Sequence, residues 1–144
     1  MIRSDAEYWD ALNQIQDDRV YRETLKKQYV DMGFSPEKVN RLMEPVESFL
    51  PQLKEDVAEY ERLKRGEIGE LTDLRQLGRF LIKLRIARGL TQRQLAERLR
   101  VHESLVSRDE RNEYHGITSE RAARILEAMG AQIQGKVILL PQAS

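Results

Sequence analysis

The sequence predicts an all-α chain that ends in one short β-strand, and three observations carry that prediction. Residues 91–111, TQRQLAERLRVHESLVSRDER, read as two short helices joined by a tight turn. Apolar residues recur at helical spacing through most of the 144 residues, with caps and breakers between the runs. Only after residue 130 does the pattern alternate and then become continuously apolar.

A first helix is expected from about Asp5 to Asp31, carrying Tyr8, Leu12, Ile15, Leu25 and Tyr29 and stopping at Met32 and Gly33. Ser35 is a good cap and Pro36 a good first-turn residue, so a second helix follows, interrupted or bent at Pro45 and Pro51. Leu53, Val57 and Tyr60 continue its apolar stripe to about Arg65. Gly66, Glu67, Ile68 and Gly69 then break the pattern and close a helical N-terminal extension over 1–66.

A second domain is expected over 71–130. Thr72 caps a helix bearing Leu74, Leu77, Leu81 and Leu84, ended by Gly89. Thr91 stands three residues before Gln94, the spacing of a capping box, so a short helix begins at Gln92 and turns Leu95, Ala96 and Leu99 inward. Val101 and Val106 cover that face if the chain turns at Arg100 and a further helix occupies 103–110. Its outward residues are then Glu103, Ser104, Ser107 and Arg108, all able to hydrogen-bond to base edges or phosphates. A loop over 112–116 leads to a last helix capped by Thr118 or Ser119, containing Ala122, Ile125, Leu126 and Met129 and closed by Gly130. The tail over 131–144, with Ile133, Val137, Ile138, Leu139 and Leu140, is the strand signal. A lone strand is unstable, so it needs a second one, such as the same segment of another subunit.

The net charge of zero hides an asymmetry: residues 1–70 hold 11 Lys and Arg against 16 Asp and Glu, whereas residues 71–144 hold 13 against 8. The basic half contains the two-helix segment, and its cations are nearly all arginine, among them Arg75, Arg79, Arg88, Arg93, Arg98, Arg100, Arg108 and Arg111. Guanidinium binds phosphate or guanine bidentately where lysine does not. The absence of cysteine excludes disulfides and thiolate zinc sites and agrees with a reducing compartment. No apolar run approaches the roughly 20 residues of a spanning helix, and the opening MIRSDAEYWD lacks a signal-peptide pattern, so a cytoplasmic protein away from membranes is expected.

Enzymatic readings find no support. His102 and His115 lie thirteen apart without carboxylates at metal-ligand spacing, no phosphate-binding glycine loop or dinucleotide fingerprint is present, and nothing positions a triad of Ser104, His102 and Asp109. No cofactor or metal is expected.

On these residues the stretch 71–130 resembles the helix-turn-helix domain of phage Cro and repressor proteins, the XRE family. The resemblance rests on Gln92 opening the second helix, Leu95, Ala96 and Leu99 on its inner face, Val101 and Val106 in the turn and third helix, and Glu110 closing it. It covers under half of the chain and implies a five-helix DNA-binding domain. It also implies an ion pair between Arg85 and Glu110, expected to be partly buried and structural. Three positions depart from the family pattern: Arg100 stands where glycine is preferred, His102 replaces a small cap, and Asp109 replaces an apolar residue. Arg100 must adopt a positive φ or the turn must differ, and Asp109 either faces solvent or pairs with Arg108 or Arg111.

The expected function is that of a transcriptional regulator, a repressor, whose homodimer reads a palindromic site on double-stranded DNA. Arg108 is the first candidate for base contact, followed by Ser104, Glu103 and Ser107. Gln92 with the amides opening its helix, Arg93, Arg111, Asn112 and Tyr114 are the candidates for holding phosphate. The alternative is an antitoxin whose N-terminal helices bind a toxin while the helix-turn-helix autoregulates the operon. The aromatics of the acidic half, Trp9, Tyr21, Tyr29, Phe34, Phe49 and Tyr60, would then pack on the DNA-binding domain, on a second subunit or on a separate protein.

Overall fold

Ser4 starts the first helix: its hydroxyl accepts from the Glu7 amide at 3.2 Å, and Asp5 and Glu7 in the first turn complement the positive end of the helix dipole. In a computed structural model that describes residues 1–46 and 50–143, this helix, α1, runs Asp5–Asp31 and ends at Gly33, whose φ is +83°. Ser35 caps α2 (Pro36–Met43) by accepting from the Lys38 amide at 3.3 Å, with Pro36 in the first turn. Pro45 lies in a 3-10 turn, Glu44–Val46, and α3 spans Leu50–Lys64 with Pro51 near its start. Phe49, one of the aromatics expected in the acidic half, lies outside the described residues.

The chain divides into two compact units, Met1–Glu70 with Ile86–Gly89 and Leu71–Arg85 with Leu90–Ser144. In the first, α1 packs along α2 and α3 over Ala11, Val39, Met43, Leu50, Val57, Tyr60 and Leu63. Tyr8 and Tyr60 stack at 5.3 Å, and each hydroxyl reaches a carboxylate of the other helix, Tyr8 donating to Glu61 at 2.8 Å and Tyr60 to Asp5 at 2.7 Å. The Tyr60 bond, followed by the nearby Lys64 charge, holds the Asp5 carboxyl below its ordinary pKa, and the Glu61 bond raises that of Tyr8. Trp9 and Tyr21 stay exposed on α1.

The second unit holds a 3-10 turn, Leu74–Gln76, then α4 (Leu77–Ala87) as far as Arg85, α5 (Gln92–Leu99), α6 (Glu103–Arg111) and α7 (Ser119–Ala128). The expected five helices of 71–130 are therefore four α-helices and this short turn. Asp73, rather than Thr72, supplies the cap, accepting from the Arg75 amide at 2.8 Å. The helix proper starts only at Leu77, which leaves Leu74 79% exposed and outside the core stripe. Leu81, Ile82, Leu95, Ala96, Val106, Ala122, Ile125, Leu126 and Met129 are buried. Thr118 caps α7 by accepting from the Arg121 amide, and Gly130 (φ +66°) lets the Ala131 amide close its end on the Leu126 carbonyl at 2.9 Å.

The C-terminal strand does not form. Residues 131–143 are neither helix nor strand, and no strand occurs among the described residues. The physical reason is the one that makes any single strand unstable: the chain offers this segment no second strand to pair with. Among the described residues no helix is long and apolar enough to cross a membrane.

The turn after α6 approaches α4 closely. Glu113 and Tyr114 both take positive φ, +52° and +53°, and a Cβ on Gly78 would collide with the Glu113 carbonyl oxygen. Gly78→Ala should therefore lower stability by roughly 1–3 kcal/mol, since neither backbone can yield without disturbing the turn. Urea unfolding measures this, and an unchanged midpoint would show that the two segments do not meet.

Candidate nucleic-acid interface

The cap of α5 is reciprocal. Thr91 Oγ1 accepts from the Gln94 amide at 3.1 Å, and Gln94 Oε1 accepts from the Thr91 amide at 2.9 Å. This leaves the amides of Gln92 and Arg93, which have no intrahelical acceptor, at the positive end of the helix dipole. The helix ends at Arg100, which adopts φ +58° and ψ +43°, so this position keeps the left-handed geometry despite carrying an arginine. The Val101 amide closes the turn on the Ala96 carbonyl at 3.0 Å. His102 then caps α6: its Nδ1 accepts from the Ser104 amide at 3.1 Å and lies 2.8 Å from Ser104 Oγ.

Helical geometry separates the residues of α6 into two sides. Val106 and Glu110 are buried, whereas Ser104, Arg108 and Arg111, related by steps of four and three, share the opposite, exposed side. Glu103 is exposed at the first turn and Ser107 is half-buried at the flank. Among the described residues the side chains of Arg100, Arg108 and Arg111 make no hydrogen bond or ion pair. Arg93 is exposed and lies 3.5 Å from Glu97, a solvated pair that leaves the guanidinium available to other anions. Asn112 is exposed at the end of α6.

Beneath this surface lies a buried ion pair. Arg85 Nε and Nη2 donate to Glu110 Oε2 and Oε1 at 2.6 and 2.7 Å, both side chains almost wholly inaccessible, so the pair is fully rather than partly buried. Arg85 Nη1 donates to the Leu90 carbonyl at 2.7 Å, and Gln92 Nε2 donates to Glu110 Oε1 at 3.1 Å. Gln92 thus spends its side-chain amide on the ion pair, and its contribution at the surface is its backbone N–H.

Tyr114 is also placed differently from the expectation of a phosphate contact. It is only 5% exposed, and burial, then the Glu110 and Asp109 charges, raises its pKa and keeps the hydroxyl neutral. Its left-handed backbone, which carries the side chain back under α6, left no mark in the sequence. Asp109 pairs neither with Arg108 nor with Arg111 but with Arg121 of α7, Nη2 to Oδ2 at 2.8 Å. Arg98 donates to the Ala128 carbonyl at 3.0 Å, binding α5 to the end of α7. Sequence reasoning missed both contacts, because partners twelve and thirty residues apart leave no periodic signal.

A capped helix, a left-handed turn and a second helix with one polar face turned outward make up a helix-turn-helix. Residues 76–134 match the family model described as a helix-turn-helix domain. The chain carries a helix-turn-helix domain over these residues. The match begins in the turn before α4 and ends in the tail beyond α7, so it takes in all four helices of the unit. No curated protein and no solved structure is significantly similar to the chain.

Removing one member of the buried pair strands the other charge. Glu110→Ala should cost roughly 3–5 kcal/mol, whereas Arg85→Met with Glu110→Leu should cost clearly less than the two single changes together. Chemical denaturation of the two single variants and the double variant gives the coupling, and strict additivity would exclude it.

Proposed function

We propose that this protein is a sequence-specific transcriptional regulator, a repressor that acts as a homodimer on a palindromic operator in the cytoplasm, without cofactor or catalytic step. The observation carrying this reading is the exposed side of α6, where Ser104, Arg108 and Arg111 stand free of the core while Val106 and Glu110 hold the helix from behind. Two copies of such a helix enter successive major grooves about 34 Å apart. Arg108 is the base reader, suited to a guanine edge, with Ser104, Glu103 and Ser107 beside it. Glu103 accepts from cytosine or repels misplaced phosphate. The amides of Gln92 and Arg93, with Arg93, Arg111 and Asn112 side chains, hold the backbone and set register.

A second reading has its own observation. The acidic N-terminal unit leaves Trp9, Val20, Tyr21 and Val30 exposed on α1, an apolar supply that DNA binding does not use. In an antitoxin those helices would grip a toxin, and the helix-turn-helix would autoregulate the operon. Retention of a small partner by the full chain, lost on Trp9→Ala with Tyr21→Ala, would favour this reading, while a partner-free dimer bound to its operator would favour the plain repressor.

Selection of bound fragments from a random DNA pool should return two symmetric half-sites. On that operator Arg108→Ala should lose roughly 1–3 kcal/mol and relax the preference at one base position, while Arg93→Ala should weaken all sequences alike and flatten the salt slope. Equal losses on every sequence in both variants would refute the assignment of Arg108.

A further inference from the structure

Among the described residues the tail beyond α7 is a strongly apolar segment that the helix-turn-helix leaves unused. It starts from a fixed point, the Ala131 amide on the Leu126 carbonyl, and from there makes no helix or strand among the described residues. Val137 and Leu139 are 93% and 92% exposed, and Ile133, Ile138 and Leu140 are exposed with them. Four consecutive large aliphatic residues in water, with no backbone partner, are a strand edge waiting for a complement.

We propose that residues 133–140 of two copies pair as antiparallel strands and form the dimer interface of the regulator, an inference that rests on the two-fold reading above and supplies the surface for it. Three features select a second copy as the occupant. A strand is completed by a strand, and among the described residues this chain has no strand of its own to supply one. Antiparallel pairing of one segment with itself is self-complementary about a two-fold axis, the symmetry a palindromic operator requires. The five apolar residues are 56–93% exposed in the single chain, and pairing takes part of that apolar surface out of water.

The segment also limits its own association. Pro141 has no amide hydrogen and ends the ladder, and the charge of Lys136 disfavours addition of further strands, so the assembly stops at a pair. A two-stranded ribbon is marginal by itself. In the dimer one face of the ribbon, Ile133, Val137 and Leu139, would need to pack on a helix of either copy to supply the support that pairing alone lacks.

Sedimentation of the full chain without DNA tests this. The unmodified protein should be a dimer in the micromolar range, and Val137→Asp with Leu139→Asp should weaken it by roughly 100-fold while the helical circular dichroism stays unchanged. Adjacent amides of a strand point to opposite edges, so one of Val137→Pro and Ile138→Pro must remove a ladder donor and weaken the dimer while keeping the tail apolar. A monomeric unmodified protein, a dimer that survives the two aspartates, or a dimer indifferent to both prolines would each overturn the proposal. Arg108→Ala should leave the dimer intact, so failure of DNA recognition and failure of tail pairing register in separate measurements.

Discussion

The ion pair between Arg85 and Glu110 is the constraint on which the exposed polar side of α6 depends. Burying two charges costs several kcal/mol each unless every polar atom finds a partner, and here the demand is met from three directions. Glu110 takes both donors of the guanidinium edge, the remaining guanidinium nitrogen turns to the Leu90 carbonyl, and Gln92 adds a bond to the same carboxylate. The partners come from α4, the turn before α5, the first residue of α5 and the last turn of α6. No one of these elements can rotate without orphaning a buried charge, so the pair fixes orientation more than it adds net stability. With Glu110 pinned inward, helical periodicity obliges Ser104 and Arg108 to face out.

Around that anchor, backbone geometry is forced at positions where the residue type gives little help. Arg100 takes a left-handed conformation at a cost that glycine would avoid, because the chain must reverse between Leu99 and His102 while Val101 remains bonded to Ala96. Glu113 and Tyr114 do the same in succession, and they are tolerated because the turn is held by Tyr114 bonding to the Asp109 carbonyl and by Gly78 leaving room for it. Strain at these three residues is the counterpart of a tightly packed α6: the connections on either side of the helix take up the unfavourable backbone geometry.

Local chemistry was legible in the sequence and long-range chemistry was not. Ser35 with Pro36, Thr91 with Gln94, and Thr118 announce helix starts through contacts within three residues, and the structure uses each of them. Asp73 displaced Thr72 because a 3-10 turn intervenes before α4, a choice made by packing rather than by the cap itself. The Asp109–Arg121 and Arg98–Ala128 contacts and the burial of Tyr114 depend on how α7 and the preceding turn come back against α6. The tail was a strand by pattern and is not one in a single chain, because pattern records what a segment suits and pairing depends on what is within reach.

Counting arginines overstates how much charge faces a polyanion. Arg75 is held by Asp73, Arg85 by Glu110 and Arg121 by Asp109, and Arg98 is turned to a helix end. Of the exposed arginines without such a partner, Arg88 and Arg124 stand elsewhere, while Arg100, Arg108 and Arg111 lie on or beside α6. Screening confines the influence of exposed charges to about 8 Å at physiological salt, so their effect is local to that helix. The acidic unit meanwhile brings the chain to a net charge of zero, which removes the long-range pull that a uniformly basic protein exerts on any duplex. On the proposed reading of α6 as the DNA-contacting helix, this combination favours discrimination: weak attraction to arbitrary DNA leaves placed contacts rather than overall charge to decide where the protein stays.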